Sequence, residues 1–448
     1  MKHNGHPVTA RSIRPSQLHA QRLMRTLCRK IGSRTPASDG MRRAQDLLEN
    51  EWLVLDARGI RREPVPLRAW REGRADVTIL APASRHLDAV QAVNSTAASA
   101  EASLVDGGRL CFADLQRLGD SVRNAVVLVD GHVLENGQLE PLQKRVSIAE
   151  VSGAAAVLVA GTYAPLPAIM FLHRSCLPVL SISGDDARQL RRMVRTRQQI
   201  RVRVRTTGRG RRATCHNLIA DFGPTDAGAE QVIACAHMDT FYLSPAAMDN
   251  TSGVVAMTEM ARLLAPYQNR FVRKLRLIAF TGEEYGFAGS KHYVHVHSNE
   301  LDRVRFVLSM DCMFPNTAKG LVVIGAPEMS DYVIAGLRNG ARQRVDVRNG
   351  FCMSSDYLPF VLAGVPAARP ADFGDTFPPY THTIADTDDK IPPAWLNANA
   401  KMCAHVLLRM LTDPRPLPAR RRSADEVRRL VESAGAQDLL RWQVQLPA

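Results

Sequence analysis

The sequence of 448 residues lacks the patterns that mark membrane and secreted proteins. No stretch approaches the roughly 18 consecutive apolar residues of a membrane-spanning helix. The first residues, "MKHNGHPVTARSIRPSQLHAQRL", carry charge but contain no apolar segment of the kind that signal peptides need, which is about 7 to 15 residues long. We therefore expect a cytoplasmic protein that does not contact membranes.

Cysteines at the close spacing typical of metal or redox motifs are also missing. The eight cysteines form no CxxC pair, and most of them stand in apolar, strand-like stretches such as "VIACAH" at 232–237. This usage is typical of buried free thiols in a reducing compartment, and it argues against a disulfide framework.

Arginine is abundant, but the usual features of a nucleic-acid-binding face do not accompany it. The formal net charge is +14, and arginines are concentrated at 191–212 and 415–430. No aromatic residue interrupts either stretch, and neither contains a recognisable nucleic-acid-binding motif. We therefore interpret both stretches as solvated surfaces and expect no nucleic-acid partner.

The length and the order of apolar stretches predict more than one domain. From residue 215 onward, short apolar runs alternate with helix-like stretches, which is typical of an α/β sheet covered by helices on both faces. We expect this sheet to be mixed and mostly parallel. The strand-rich block before it predicts an inserted β-rich lobe. The expected division is a discontinuous main domain at 19–96 and 213–415, the lobe at 97–212 and a helical tail at 416–448.

Side chains that can bind metal follow several of the predicted strands. Glu283 and Glu284 stand side by side directly after an apolar run, and two carboxylates in one site raise each other's pKa unless a cation is present. Strand ends meet at one edge of an α/β sheet, where sites gather. The other candidates at strand ends, helix starts or loops are His237, Asp239, Asp249, Asp311 and His382.

The residue types in this set indicate which metal they suit. Imidazole and carboxylate ligands without thiolates fit a catalytic zinc or a related divalent ion that keeps an open coordination position. One catalytic zinc needs about three protein ligands, so the surplus indicates two ions bridged by a carboxylate. Without cations, the burial of so many negative charges would be very costly.

These motifs together resemble the M28 family of zinc metallopeptidases, which contains di-zinc aminopeptidases. The resemblance is carried by "AHMDT" (236–240), "MDNTSGVVAM" (248–257), "FTGEEYGFAGS" (280–290), "SMDCM" (309–313), "SSDYLPF" (354–360) and "THTIADTDDKI" (381–391). It implies the zinc exopeptidase fold. The block from about 97 to 212 is similar to a protease-associated (PA) domain, which several members carry at this point of the chain.

The resemblance implies that five side chains bind two zinc or related divalent ions per chain. Asp249 would bridge the ions, His237 and Asp311 would complete one site, and Glu284 and His382 would complete the other. Because no implied ligand lies between 97 and 212, we expect removal of the lobe to leave the metal site intact and to change access or substrate preference.

The resemblance also assigns the groups around the ligands. Glu283 would be the general base that takes a proton from metal-activated water, and Asp239 would orient His237. The peptide bond between Asp249 and Asn250 is expected to be cis. Thr381 stands directly before His382, where family members often carry a tyrosine.

The implied function is a metal-dependent exopeptidase, with an aminopeptidase acting on peptides as the leading hypothesis. A glutaminyl cyclase would use a related site with one zinc. A carboxypeptidase of the same superfamily would need a basic group for the terminal carboxylate of its substrate, and no motif singles out one arginine for this task. A catalytically dead binding protein of this fold should have lost ligands, whereas all of them are present here.

Overall fold

Two large sheets form the framework of the protein. The computed structural model describes residues 16–135, 138–314, 320–338, 345–371 and 378–443. The strands are β1 (Arg58–Arg71), β2 (Ala75–Ala81), β3 (Arg85–Leu87), β4 (Ala89–Gln91), β5 (Ser99–Gly108), β6 (Val126–Asp130), β7 (Leu134–Glu135), β8 (Gln138–Leu139), β9 (Ala156–Ala160), β10 (Val179–Ile182), β11 (Arg201–Thr206), β12 (Arg209–Phe222), β13 (Gln231–His237), β14 (Lys274–Phe280), β15 (Val304–Ser309), β16 (Gly320–Ile324), β17 (Asp346–Asn349) and β18 (Ala367–Pro370).

Helices cover the faces of these sheets. They are α1 (Gln17–Arg25), α2 (Asp39–Leu53), α3 (Phe112–Leu118), α4 (Leu142–Val151), α5 (Gly184–Arg195), α6 (Ser252–Leu264), α7 (Ala288–Val296), α8 (Met329–Arg338), α9 (Tyr357–Leu362), α10 (Pro393–Thr412), α11 (Ala424–Ser433) and α12 (Gln437–Gln443). Within the described ranges, no helix has both the length and the apolar character that crossing a bilayer requires.

The first sheet has eight strands in the order β1-β12-β14-β13-β15-β18-β16-β17. Its centre is parallel, since β13 pairs in parallel with β14 and β15, and β15 pairs in parallel with β18. Its flanks include antiparallel pairs such as β12 with β14. Every residue of β13 and β14 is buried, which fits strands covered on both faces. The prediction of a mixed, mostly parallel α/β sheet is confirmed.

A separate apolar core lies on each face of this sheet. On one face, Trp52 of α2 and Met257 of α6 pack with Leu407 of α10. On the other face, Phe280 of β14 packs with aromatic side chains of α7 and α9. The helical tail joins this second core, because Leu439 and neighbouring apolar residues of α11 and α12 are buried in it. The sheet is therefore a rigid platform whose strand ends are held in place from both sides.

The second sheet also has eight strands, in the order β3-β2-β11-β5-β6-β9-β10-β4. It includes β2, β3 and β4, which lie before residue 97, where the sequence predicts that an inserted lobe begins. β2 joins this sheet because it pairs antiparallel with β11, from Ala75↔Thr206 to Ala81↔Arg201. This pairing of distant segments leaves no mark in the local sequence.

The long strands β1 and β12 connect the two sheets. They pair antiparallel from Arg58↔Asp221 to Arg71↔Arg209. Just beyond this pair the two chain segments touch, since a Cβ added at Gly73 would lie 2.4 Å from the backbone nitrogen of Gly208. Glycine is required for this close approach. The second sheet is therefore built from the chain between about residues 72 and 208.

His19 connects α1 to α2 and α6. Its Nε2 lies 2.7 Å from a carboxylate oxygen of Glu51, and its Nδ1 contacts the carboxylate of Glu259, whose side chain is fully buried. Hydrogen bonds to Glu259 and then Glu51 raise the pKa of His19 to about 9, although burial opposes this shift. The charged imidazolium is therefore part of the contact that fixes the first helix.

This arrangement predicts a dependence of stability on pH. Because the folded-state pKa exceeds the ordinary value of 6.5, protonated His19 stabilises the fold fully below about pH 6.5, and this stabilisation is lost as the pH rises through about 9. In the presence of a chelator, wild type should melt at a higher temperature than His19→Gln at pH 6. The difference should shrink by pH 10. A difference independent of pH would contradict this role.

Candidate metal centre

The five candidate ligands converge at one edge of the first sheet. His237 is the last residue of β13, Glu284 follows β14, and Asp311 follows β15. Their ligand atoms form two groups, in each of which all atoms lie within 4.8 Å of one another. The first group is His237, Asp249 and Asp311, and the second is Asp249, Glu284 and His382. Every residue predicted to bind metal is thus brought into one place.

Asp249 belongs to both groups. Its Oδ1 lies 3.1 Å from Nε2 of His237, and its Oδ2 lies 3.1 Å from Nε2 of His382. The peptide bond between Asp249 and Asn250 is cis, which confirms the sequence-based prediction. Each oxygen of this one carboxylate therefore faces a different imidazole, which is the arrangement that a bridging ligand requires.

Asp386 fixes the backbone of Asp249 and was not singled out in the sequence. Its carboxylate accepts the backbone N–H groups of Met248 at 2.8 Å and Asp249 at 3.2 Å. Burial raises the pKa of Asp386 to about 6, although these hydrogen bonds oppose the shift. Its place within the "THTIADT" motif was the available signal, but the motif does not reveal which segment the carboxylate contacts.

Arg34 holds the same region from the other side. Its fully buried guanidinium donates to the carbonyl of Met238 at 2.8 Å and to Oγ1 of Thr251 at 2.6 Å. These partners lie beside His237 and Asp249, two of the proposed ligands. Arg34 therefore joins the loop after β13 to the start of α6, and it too was not predicted as a site residue.

Asp239 contacts His237 and the loop that carries the two glutamates. Nδ1 of His237 lies 3.2 Å from the backbone carbonyl oxygen of Asp239 and 3.7 Å from its carboxylate. The carboxylate instead accepts the backbone N–H groups of Glu283 at 3.1 Å and Glu284 at 3.3 Å. Asp239 thus contacts His237 through its main chain, while its side chain binds the loop that carries the two glutamates.

The electrostatics of the centre show an excess of buried negative charge. Burial, followed by neighbouring carboxylates, raises the pKa of Glu284 well above its usual range, and burial and Asp311 do the same for Glu283. For Asp249, burial alone would raise the pKa, but hydrogen bonds from His237 and His382 lower it. Oδ1 of Asp311 is buried without a hydrogen-bond partner among the described residues. Divalent cations fit this donor set, because they would balance charges that two imidazoles cannot.

The two residues before His382, Tyr380 and Thr381, contact residues of neighbouring loop segments. The Tyr380 ring lies 5.3 Å from Nζ of Lys390, and burial raises the pKa of its hydroxyl to about 12. The Thr381 hydroxyl donates to the carbonyl of Pro378 at 2.8 Å. The contacts found for these two residues therefore stabilise the loop that carries His382.

Comparison with known proteins identifies the domain that contains this centre. Residues 217–407 match the model of Peptidase family M28, and this range includes all five proposed ligands. The chain contains a peptidase family M28 domain.

Two relatives of this chain illustrate the range of similarity. Carboxypeptidase Q of Xenopus laevis is 22% identical over 390 residues, which are 84% of this chain and 81% of that protein. Aminopeptidase YwaD of Bacillus subtilis (strain 168) is 30% identical over 258 residues, which are 54% of each chain.

Solved structures share the fold of this chain. A peptidase M28 precursor from Shewanella amazonensis superposes with a TM-score of 0.80 at 23% identity, covering 92% of this chain and 97% of that one. BSAP, a zinc aminopeptidase from Bacillus subtilis, superposes with a TM-score of 0.71 at 22% identity, covering 92% of this chain and 99% of that one. At this coverage the shared fold includes parts of both sheets.

Proposed function

We propose that this protein is a zinc-dependent aminopeptidase that removes N-terminal residues from peptides. The observation that carries the proposal is the position of Asp249, with one oxygen toward His237 and the other toward His382 inside an M28 domain. Some relatives are named aminopeptidases, and YwaD is one of them, which supports the same activity. All five ligands are present and converge, which argues against a binding protein that has lost its chemistry.

We infer two divalent ions per chain. His237, Asp249 and Asp311 would hold one ion, and Asp249, Glu284 and His382 would hold the other. A shared carboxylate also distinguishes this arrangement from the single-zinc site of a cyclase. Bound zinc would supply polarisation of the scissile carbonyl and a lowered pKa for water.

Glu283 is positioned to handle the proton of the attacking water. It belongs to neither ligand group, yet its Oε2 lies 4.0 Å from Nε2 of His237, and its side chain is 13% exposed. The backbone N–H of Glu283 donates a hydrogen bond to the carboxylate of Asp239. Glu283 would accept a proton from water as general base and return it to the departing amine.

We also propose that the second sheet forms a PA-like lobe inserted into the peptidase domain. Strands β1 and β12 enter and leave it side by side, and both large sheets have their own apolar cores. The boundaries that this pairing supports are about residues 72 and 208.

The bridging role predicts an asymmetry between ligand variants. Asp249→Ala should lose both ions, because each oxygen serves one of them, whereas Asp311→Ala should lose one. Metal content after dialysis, measured by plasma mass spectrometry, tests this. Asp389→Ala is the matched control, because its side chain is 67% exposed and it belongs to neither group. Two tightly bound ions in Asp249→Ala would refute the assignment.

The two adjacent glutamates should respond differently to the same substitution. Glu283→Gln should keep its metal but lose kcat by about 10²- to 10⁴-fold, because an amide cannot accept the proton of water. Glu284→Gln should instead weaken metal binding, because Glu284 is a proposed ligand. Aminoacyl-nitroanilide hydrolysis and metal titration separate these effects, and an exchange of the two phenotypes would show that the roles are reversed.

One arginine favours a second candidate function, the hydrolysis of short peptides whose free C-terminal carboxylate lies near the scissile bond. Arg369 is half-buried on β18, level with Ser309, since Ala368 pairs with Leu308 of β15. Burial alone would lower its pKa, but nearby groups, including Tyr357 and Asp311, raise it. No ion pair or hydrogen bond of its guanidinium is found among the described residues. A charged guanidinium of this kind suits a carboxylate.

This second candidate predicts a substrate-dependent loss of activity. Arg369→Gln should lower kcat/KM for a dipeptide by roughly 10- to 100-fold, because a charged hydrogen bond is removed, and should leave the dipeptide amide unaffected. Arg348→Gln, which changes an arginine 56% exposed on β17, is the control. Equal losses on the acid and the amide would exclude carboxylate binding by Arg369.

A further inference from the structure

Residues 169–172, named here the docking segment, lie between the second sheet and the metal centre. The N–H of Val93, just after β4, donates to the carbonyl of Met170 at 2.8 Å. The N–H of Leu172 donates back to the carbonyl of Val93 at 3.1 Å. The docking segment is therefore bound along one edge to the lobe.

The other edge of the docking segment reaches a proposed metal ligand. The N–H of Ile169 donates to the carbonyl oxygen of His382 at 2.9 Å. In an extended segment, backbone groups of alternate residues point to opposite sides, so Met170 and Leu172 face Val93 while Ile169 faces away from it. The lobe thus makes a direct main-chain contact with the His382 loop.

His382 needs such a restraint more than His237 does. His237 ends a central strand and its side chain is 1% exposed, whereas His382 lies on a loop and its side chain is 31% exposed. The backbone of His382 has φ of 63°, in the left-handed region that residues other than glycine rarely adopt. A conformation of this kind persists only where its surroundings hold it.

Side-chain packing reinforces the main-chain contact. Ile169 is buried in a cluster that contains Phe241 and Tyr285, and Phe171 packs against the same cluster. The Phe241 ring lies edge-on to the His382 imidazole, with centroids 4.9 Å apart. The Phe171 ring lies 6.3 Å from that of Tyr285, the neighbour of Glu284. Aromatic side chains packed around the docking segment therefore contact His382, a member of the second ligand group, and the residue that follows Glu284, another member.

We propose that the docking segment is a positioning element for the second ligand group, and that the N–H of Ile169 sets the position of His382. The lobe then contributes to metal binding although it supplies no ligand. This inference rests on the proposed role of His382, and it replaces the expectation that removal of the lobe leaves the metal site intact.

The proposal is tested by removing one N–H group from the full-length protein. Ile169→Pro lacks the N–H, whereas Ile169→Val keeps both the N–H and a β-branched side chain. Titration of the apoproteins with Zn²⁺ in a calorimeter should show one of two binding events weakened about tenfold in Ile169→Pro and neither weakened in Ile169→Val. Replacement of residue 169 by the α-hydroxy acid of isoleucine, which keeps the side chain, should reproduce the proline result.

A double-mutant cycle distinguishes positioning from general damage. His382→Ala should abolish the same binding event, and adding Ile169→Pro to it should leave the remaining event unchanged. Equal weakening of both events, or weakening of the remaining event in the double variant, would overturn the positioning role. Two tight binding events in His382→Ala would instead refute the ligand assignment on which the proposed function depends.

Discussion

The burial of several carboxylates around Asp249 is the constraint on which the site depends. Glu283, Glu284 and Asp311 crowd the same volume, and two imidazoles cannot balance their charge. Like charges at such separations would repel strongly in a medium of low polarity. Cations would relieve this repulsion, and the requirement to hold them would explain where the side chains and their supporting groups lie.

The scaffold meets this requirement by fixing main chains as well as side chains. Parallel strands packed on both faces deliver His237, Glu284 and Asp311 to one edge. The loops between these strands and the helices are held by buried ionisable groups that are not proposed ligands. Asp386 accepts N–H groups at the bridging residue, and Asp239 accepts those of both glutamates. Such supports set ligand positions, and they are part of the site's chemistry because ligand geometry decides metal affinity.

The second sheet, which we propose to be an inserted lobe, extends this principle beyond the first sheet. Its docking segment binds the His382 loop through one backbone hydrogen bond and a continuous apolar cluster. His382, a proposed ligand whose side chain is 31% exposed, is thus contacted from a second sheet that contributes no proposed ligand. Arg369 lies on the same edge of the first sheet, where a substrate carboxylate would find a charged partner. Metal binding and substrate selection would therefore take place at the same edge of the first sheet.

The sequence alone indicated which residue types make up the proposed metal centre. Apolar runs followed by an acid or a histidine indicated His237, Glu284 and Asp311, because strand ends of an α/β sheet meet at one edge. Asp249 and His382 were indicated by their places before a helix and in a late loop. The resemblance of short motifs supplied the family, and it also anticipated the cis bond at Asp249.

Only the tertiary structure decided the long-range contacts. The membership of β2 in the second sheet depends on pairing with β11, and the contact of Ile169 with His382 joins segments far apart in the chain. The roles of Asp386 and Arg34 are hydrogen bonds to distant main-chain groups, and Arg369 stands out among many arginines only by its surroundings. Local composition records which residue types are present, whereas these partners are set by how the packed sheets and loops meet in space.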